Sequence, residues 1–157
     1  ARARFPVIDI HTHLSFSKKA VNGVQMAEER TYTGNPRDEL AVMDRKNILA
    51  MVNLTGGYGK GLEDAIARYD KAFPGRFYTF TEPWYSRFKE PNYLSLQAQA
   101  IEDARPVGAR GLKMLKTLCP DLRENITPGK LVTGEDPRFD PMWEACGRPK
   151  MQVARHG

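Results

Sequence analysis

Phe5-Pro6-Val7-Ile8-Asp9-Ile10-His11-Thr12-His13 is the stretch that decides how this chain folds, an apolar run ending on two histidines spaced i, i+2. Successive side chains on a strand point to opposite faces. The spacing therefore predicts Val7, Asp9, His11 and His13 on one face, with Ile8, Ile10 and Thr12 on the other. Two imidazoles sharing a face at the tip of a strand can grip one cation, and imidazole suits zinc and other first-row divalent ions. A hydrogen-bonded pair without metal is the plainer reading of so short a pattern, and the strand context favours the metal. Asp9 sits one pair deeper, where it serves better as an orienting hydrogen-bond partner than as a ligand.

Outward from that strand, short apolar runs alternate with amphipathic segments. Ser15 to Thr33 is polar and too long for an ordinary connection, so it reads as a binding or lid loop. Asn35-Pro36 is a cap followed by a first-turn proline. Asp38 and Glu39 lie near the positive end of the helix it starts, which carries Leu40, Val42 and Met43 and ends near Asn47. A second strand is expected over Ile48 to Thr55, a second helix over Gly61 to Ala72, and a stop at Phe73-Pro74-Gly75. Then come a strand from Phe77 to Thr81, a helix from Leu94 to Arg105 closed by Pro106 and Gly108, and a strand from Ala109 to Leu115. After a long loop, Asp140-Pro141 starts a fourth helix through about Cys146, and Met151 to His156 reads as a fifth strand.

Strand and helix alternating with crossovers of this length mean parallel strands covered by helices. A doubly wound open sheet and a (β/α) barrel both satisfy the pattern. In a barrel the catalytic groups sit at the carboxyl ends of the strands, and His11, His13, Lys113 and His156 all fall there.

Composition narrows the function classes. With 157 residues, 41% of them hydrophobic, the chain can bury one core, and residues 1–157 form one domain or part of one. Its 24 basic residues exceed the 19 acidic ones by five, but they are scattered, which speaks for a solvated surface and against nucleic acid. Cys119 and Cys146 are far apart and read as unpaired thiols. No stretch is long and apolar enough to span a bilayer, and no targeting segment precedes Phe5, so a cytoplasmic protein without membrane contact is expected. With no initiating Met, a leader removed before Ala1 stays open. Gly56-Gly57-Tyr58-Gly59-Lys60-Gly61 follows a strand and precedes a helix, but Lys60 is followed by Gly rather than Ser or Thr. A flexible βα loop suits it better than a phosphate loop. Trp84, Tyr85 and Phe88 follow the third strand and could line a pocket for an aromatic or apolar substrate group, although such residues more often cover a core.

Val7-Ile8-Asp9-Ile10-His11-Thr12-His13-Leu14, Gly108-Ala109-Arg110-Gly111-Leu112-Lys113-Met114, and Asp136-Pro137-Arg138-Phe139-Asp140-Pro141-Met142-Trp143-Glu144-Ala145 with a following strand that ends in His156 together resemble the amidohydrolase-related family. The resemblance covers nearly the whole chain. It implies an α/β fold, an incomplete (β/α)8 TIM barrel of about four βα units plus a fifth strand. A divalent metal, often zinc, would sit at the mouth, with His11 and His13 as first-strand ligands and His156 as the fifth-strand ligand. Lys113 matches the position at which some members hold a carboxylated lysine. Gln152 and Arg155 depart from the pattern, which has a proline and an apolar residue there.

A bound cation lowers the pKa of its water or polarises a carbonyl. The resemblance thus implies a metal-dependent hydrolase acting on an amide, ester or lactone bond of a small molecule. Two alternatives stand beside it: a non-oxidative decarboxylase of the same family, and a catalytically inactive half-barrel that only binds a ligand or partner, a second copy of the chain included. An eight-unit barrel needs on the order of 250 residues. The strands that carry the remaining proton-handling groups in the family are not in this sequence.

Overall fold

The computed structural model describes residues 1–21, 24–87, 89–114 and 136–155. His156, Cys119 and Phe88 lie outside the described residues. Five parallel strands carry the architecture: β1 (Val7–Thr12), β6 (Ile48–Asn53), β7 (Phe77–Thr79), β8 (Gly111–Met114) and β9 (Gln152–Arg155). β1 pairs β6, β6 pairs β7, and β8 pairs β9. One parallel bridge, Thr81 to Leu112, joins the two groups, with the Thr81 N–H donating to the Gly111 carbonyl and the Lys113 N–H to the Thr81 carbonyl, both at 2.8 Å. Among the described residues the strand order thus follows the sequence. A doubly wound sheet would reverse at a switch point, so the described strands are singly wound, and buried residues of the helices join hydrophobic clusters with them.

Those helices form where local chemistry starts and stops them. In α1 (Pro36–Lys46), the Asn35 side chain accepts from the Arg37 N–H at 2.9 Å and Asn47 closes the end in the left-handed region at φ 62°, a cap worth about 1 kcal/mol. α2 (Gly59–Ile66) runs on into a π-turn over Ala67–Lys71. α3 (Tyr93–Val107) tolerates Pro106 because the proline falls in its last turn, just before Gly108 at φ 122°. α4 (Asp140–Gly147) packs against α3.

Paired residues of neighbouring strands share a face. Leu112 and Met114 are buried with Ile66, Ile101, Ala104, Phe139 and Met142 beneath the helices. A second cluster joins Leu14, Met43, Tyr69 and Phe77. Lys113, between Leu112 and Met114, therefore points away from the helices.

Two expectations change. The polar stretch after β1 is no plain loop: β2 (Ser15–Ser17) pairs β5 (Arg30–Tyr32), and β3 (Ala20–Val21) pairs β4 (Val24–Gln25), both antiparallel. Few large apolar residues mark these strands, because they pair through backbone groups and anchor through buried polar side chains. The glycine-rich segment, in turn, is shaped by close approach. A Cβ on Gly61 would overlap the Glu28 carbonyl oxygen, and one on Gly56 the Phe80 carbonyl oxygen.

Candidate functional site

Parallel strands end at one edge of their sheet, and the chemistry-bearing residues gather there. His11 and His13 close β1 and are both exposed. Their ring centroids lie 5.2 Å apart, tilted by 39°, and the His13 ring stacks on Phe16 at 6.4 Å. The strict alternation read from the sequence does not run through the strand. Register shifts occur between Val7 and Ile8 and again between Asp9 and Thr12, so Asp9 stands opposite Met51, out of step with the histidines. Asp9 instead accepts the His11 backbone N–H at 3.1 Å. It tethers the chain where the strand is irregular.

Two tetrahedral zinc ligands, each about 2.0–2.1 Å from the ion, set imidazole centres roughly 5 Å apart. The His11–His13 spacing fits that. Among the described residues no group of three or more His, Cys, Asp or Glu side chains is placed to hold a metal, and His156 lies outside them. Of the expected ligand candidates, His11 and His13 are the two whose rings the described residues bring together.

Directly after His13 the chain is fixed in place. The Leu14 N–H donates to the Asn53 side-chain oxygen at 3.2 Å, the Ser15 N–H to the Thr55 hydroxyl at 3.3 Å, and the Ser15 hydroxyl to the Thr55 carbonyl. Asn53 ends β6 and Thr55 follows two residues later, so β1 and β6 are stitched together at their carboxyl ends. From β5, Arg30 donates to the Thr55 carbonyl at 2.7 Å, to the Ser15 hydroxyl at 3.2 Å and to the Ser15 carbonyl at 3.4 Å.

Arg30 also meets Glu82, just beyond β7, at 3.4 Å, with 1% of each side chain exposed. Glu82 accepts the Gly57 N–H at 3.0 Å and the Gln25 side-chain amide at 3.3 Å. Burial pushes its carboxyl up to about 7, against the opposing pull of Arg30, the Gly57 N–H and Lys113. Lys113 is buried as well, and burial lowers its pKa while Glu82 resists the shift. Ser15, Thr55, Arg30 and Glu82 thus form one buried hydrogen-bonded chain, with Lys113 engaged electrostatically by Glu82.

The two aromatic candidates part ways. Trp84 is half-buried, stacks on Tyr58 with centroids 5.1 Å apart, and lines a cleft of about 170 Å³ with Leu62 and Ala104, so it faces α2 and α3. Tyr85 is 2% exposed within the main core cluster. Neither is brought beside the histidines.

Arg30, Glu82, Asn53 and Thr55 escaped the sequence reading. Asn53 and Thr55 left a weak trace, as polar residues ending an apolar strand. Arg30 left none.

No family model and no curated protein matches this sequence. Among solved structures, a probable 2-pyrone-4,6-dicarboxylic acid hydrolase from Acinetobacter baumannii, crystallised with citric acid bound, is similar with a TM-score of 0.55 and 14% identity. The match covers 96% of this chain and 49% of that one, so this chain spans about half the length of the protein it resembles. At that identity the likeness is one of fold: a mixed α/β architecture built on parallel strands. Among the described residues no helix is long and apolar enough to cross a membrane.

Proposed function

We propose that this chain forms the N-terminal part of a TIM-barrel hydrolase of the amidohydrolase-related type, cleaving an amide, ester or lactone bond in a small molecule with the help of a divalent metal, zinc by preference. One observation carries the reading. Two imidazoles lie 5.2 Å apart at the carboxyl end of the first strand, in a singly wound parallel sheet whose other strand ends bear Glu82 and Lys113. The similar hydrolase acts on a cyclic ester judging by its name, which fits the lactone branch. A divalent ion held there supplies Lewis acidity, activating water or a substrate carbonyl without a protein nucleophile.

The chain's own residues do the rest. His11 and His13 would hold the ion, while Asp9 fixes the His11 backbone and Asn53 and Thr55 pin the backbone that follows His13. Lys113 is engaged electrostatically with Glu82 rather than with the histidines, so the metal reading rests on His11 and His13, with His156 as its third candidate.

Zinc titration of the purified chain by calorimetry, with His11→Ala and His13→Ala beside it, is the direct test. The wild-type chain should take up about one zinc, and each variant should bind at least tenfold more weakly. A wild-type chain that binds no zinc, or binding untouched by His11→Ala, overturns the reading. Release of CO2 from an aromatic carboxylate, without net addition of water, would move the assignment to the decarboxylase branch.

A further inference from the structure

The buried Arg30–Glu82 pair is a costly way to hold a hairpin. Removing two charges from water costs several kcal/mol per ion, and apolar residues of similar volume often serve stability as well. What apolar residues cannot supply is direction. Three Arg30 hydrogen bonds converge on the Ser15 hydroxyl, the Ser15 carbonyl and the Thr55 carbonyl, two residues beyond His13. Glu82 meets the same guanidinium nitrogen, Nη2, at 3.4 Å and is itself held by the Gly57 N–H and Gln25. Leu14 is clamped by Asn53 between these points. The backbone after His13 is thereby immobilised while its ring stays exposed.

We propose that Arg30 is a positioning residue for the histidine pair, with Glu82 meeting the guanidinium that anchors Ser15, two residues beyond His13, and hence sets the His13 ring beside His11. This rests on the reading of His11 and His13 as ligands, and it names a part of that site supplied from seventeen residues downstream of His13. Arg30 is buried, and its hydrogen-bond partners are Ser15, Thr55 and Glu82. It acts through the Ser15 backbone, as outer-shell partners of metal ligands do.

The test uses the 157-residue chain with zinc alone as probe. In the double variant Arg30→Met, Glu82→Met the two paired charges are gone together, and Lys113 is the buried cation that loses its carboxylate neighbour. The double variant should still unfold cooperatively while its zinc dissociation constant rises about tenfold or more. The nuclear Overhauser contact between the His11 and His13 ring protons should weaken in parallel. A folded double variant with wild-type zinc affinity and an unchanged ring-to-ring contact overturns the proposal. Should the wild-type chain bind no zinc, the metal reading falls, and the ring-to-ring contact alone decides whether Arg30 positions the pair. Should the double variant not fold, Arg30→Lys takes its place. Lysine keeps the charge opposite Glu82 but lacks the planar fork that serves three acceptors, so weakened zinc binding in a stable Arg30→Lys protein supports the proposal and unchanged binding overturns it.

Discussion

Glu28 reaches across from the hairpin region so that its carboxylate accepts the backbone N–H of Lys60 at 2.7 Å. Lys60 is in the first turn of α2, whose own N-cap, Tyr58, makes no side-chain capping bond. The positive end of that helix is therefore satisfied by a carboxylate from elsewhere in the chain. The glycine-rich strand-to-helix segment is shaped by this close approach. The glycines admit the Glu28 backbone and side chain.

Glu28→Ala should accordingly destabilise the fold by about 0.5–1 kcal/mol, the usual range for a charge at a helix end, while Glu28→Gln, which can still accept the bond, should lose less. Urea unfolding reads both. Equal stability of all three proteins would show that the contact contributes nothing.

The same close approach makes Gly61 intolerant. A Cβ there would overlap the Glu28 carbonyl oxygen, so Gly61→Ala must displace backbone and should cost about 1–3 kcal/mol. Gly147, in the last turn of α4, meets nothing within 4 Å. Gly147→Ala should be neutral or stabilise by up to about 1 kcal/mol through the unfolded chain. The opposite signs are what a thermal melt should show.

Burial raises the Glu82 carboxyl from 4.5 to about 7. Across that window the folded protein holds a proton that the unfolded chain has released. The contribution is complete below the unfolded value, about pH 4.5, and is lost as pH climbs through about 7. Stability should thus decline as pH rises over this range, and Glu82→Gln, which cannot titrate, should show a flatter profile. A wild-type profile that instead rises steadily across the window would contradict the burial argument.

Cys146 is buried, and burial pushes its thiol up to about 11. The thiolate is the reactive form. In the native protein near pH 8 the Cys146 peptide should remain unmodified by iodoacetamide over minutes, and become labelled once urea unfolds the chain, as followed by peptide mass mapping. Rapid native labelling would place the thiol at the surface.

How much of this could be read in advance differs from element to element. α1 was legible almost to the residue, because Asn35, Pro36 and Asn47 act on neighbours one to four positions away. The five parallel strands were legible as apolar runs, with most of their described ends trimmed by one or two residues. β1 itself was found, but its two register shifts were not, since an irregularity depends on how the partner strand is offset, and β6 lies some forty residues on. The spacing of His11 and His13 announced the candidate site, and the structure sets their rings side by side. The residues beneath them went unseen because Arg30 meets Glu82 across 52 positions of sequence, and no local period records such a meeting.

The sequence by itself determined the alternation of strands and helices, the helix caps and the two histidines at the tip of the first strand, all of which follow from periodicity and from contacts within a turn or two. Only the tertiary structure decided the order of the described strands, the hairpins folded from Ser15 to Tyr32, and the buried charges that hold them. Those depend on which distant groups are brought together out of water. A buried Arg needs its carboxylate in space, and the chain leaves no mark of which of its 19 acidic residues that will be.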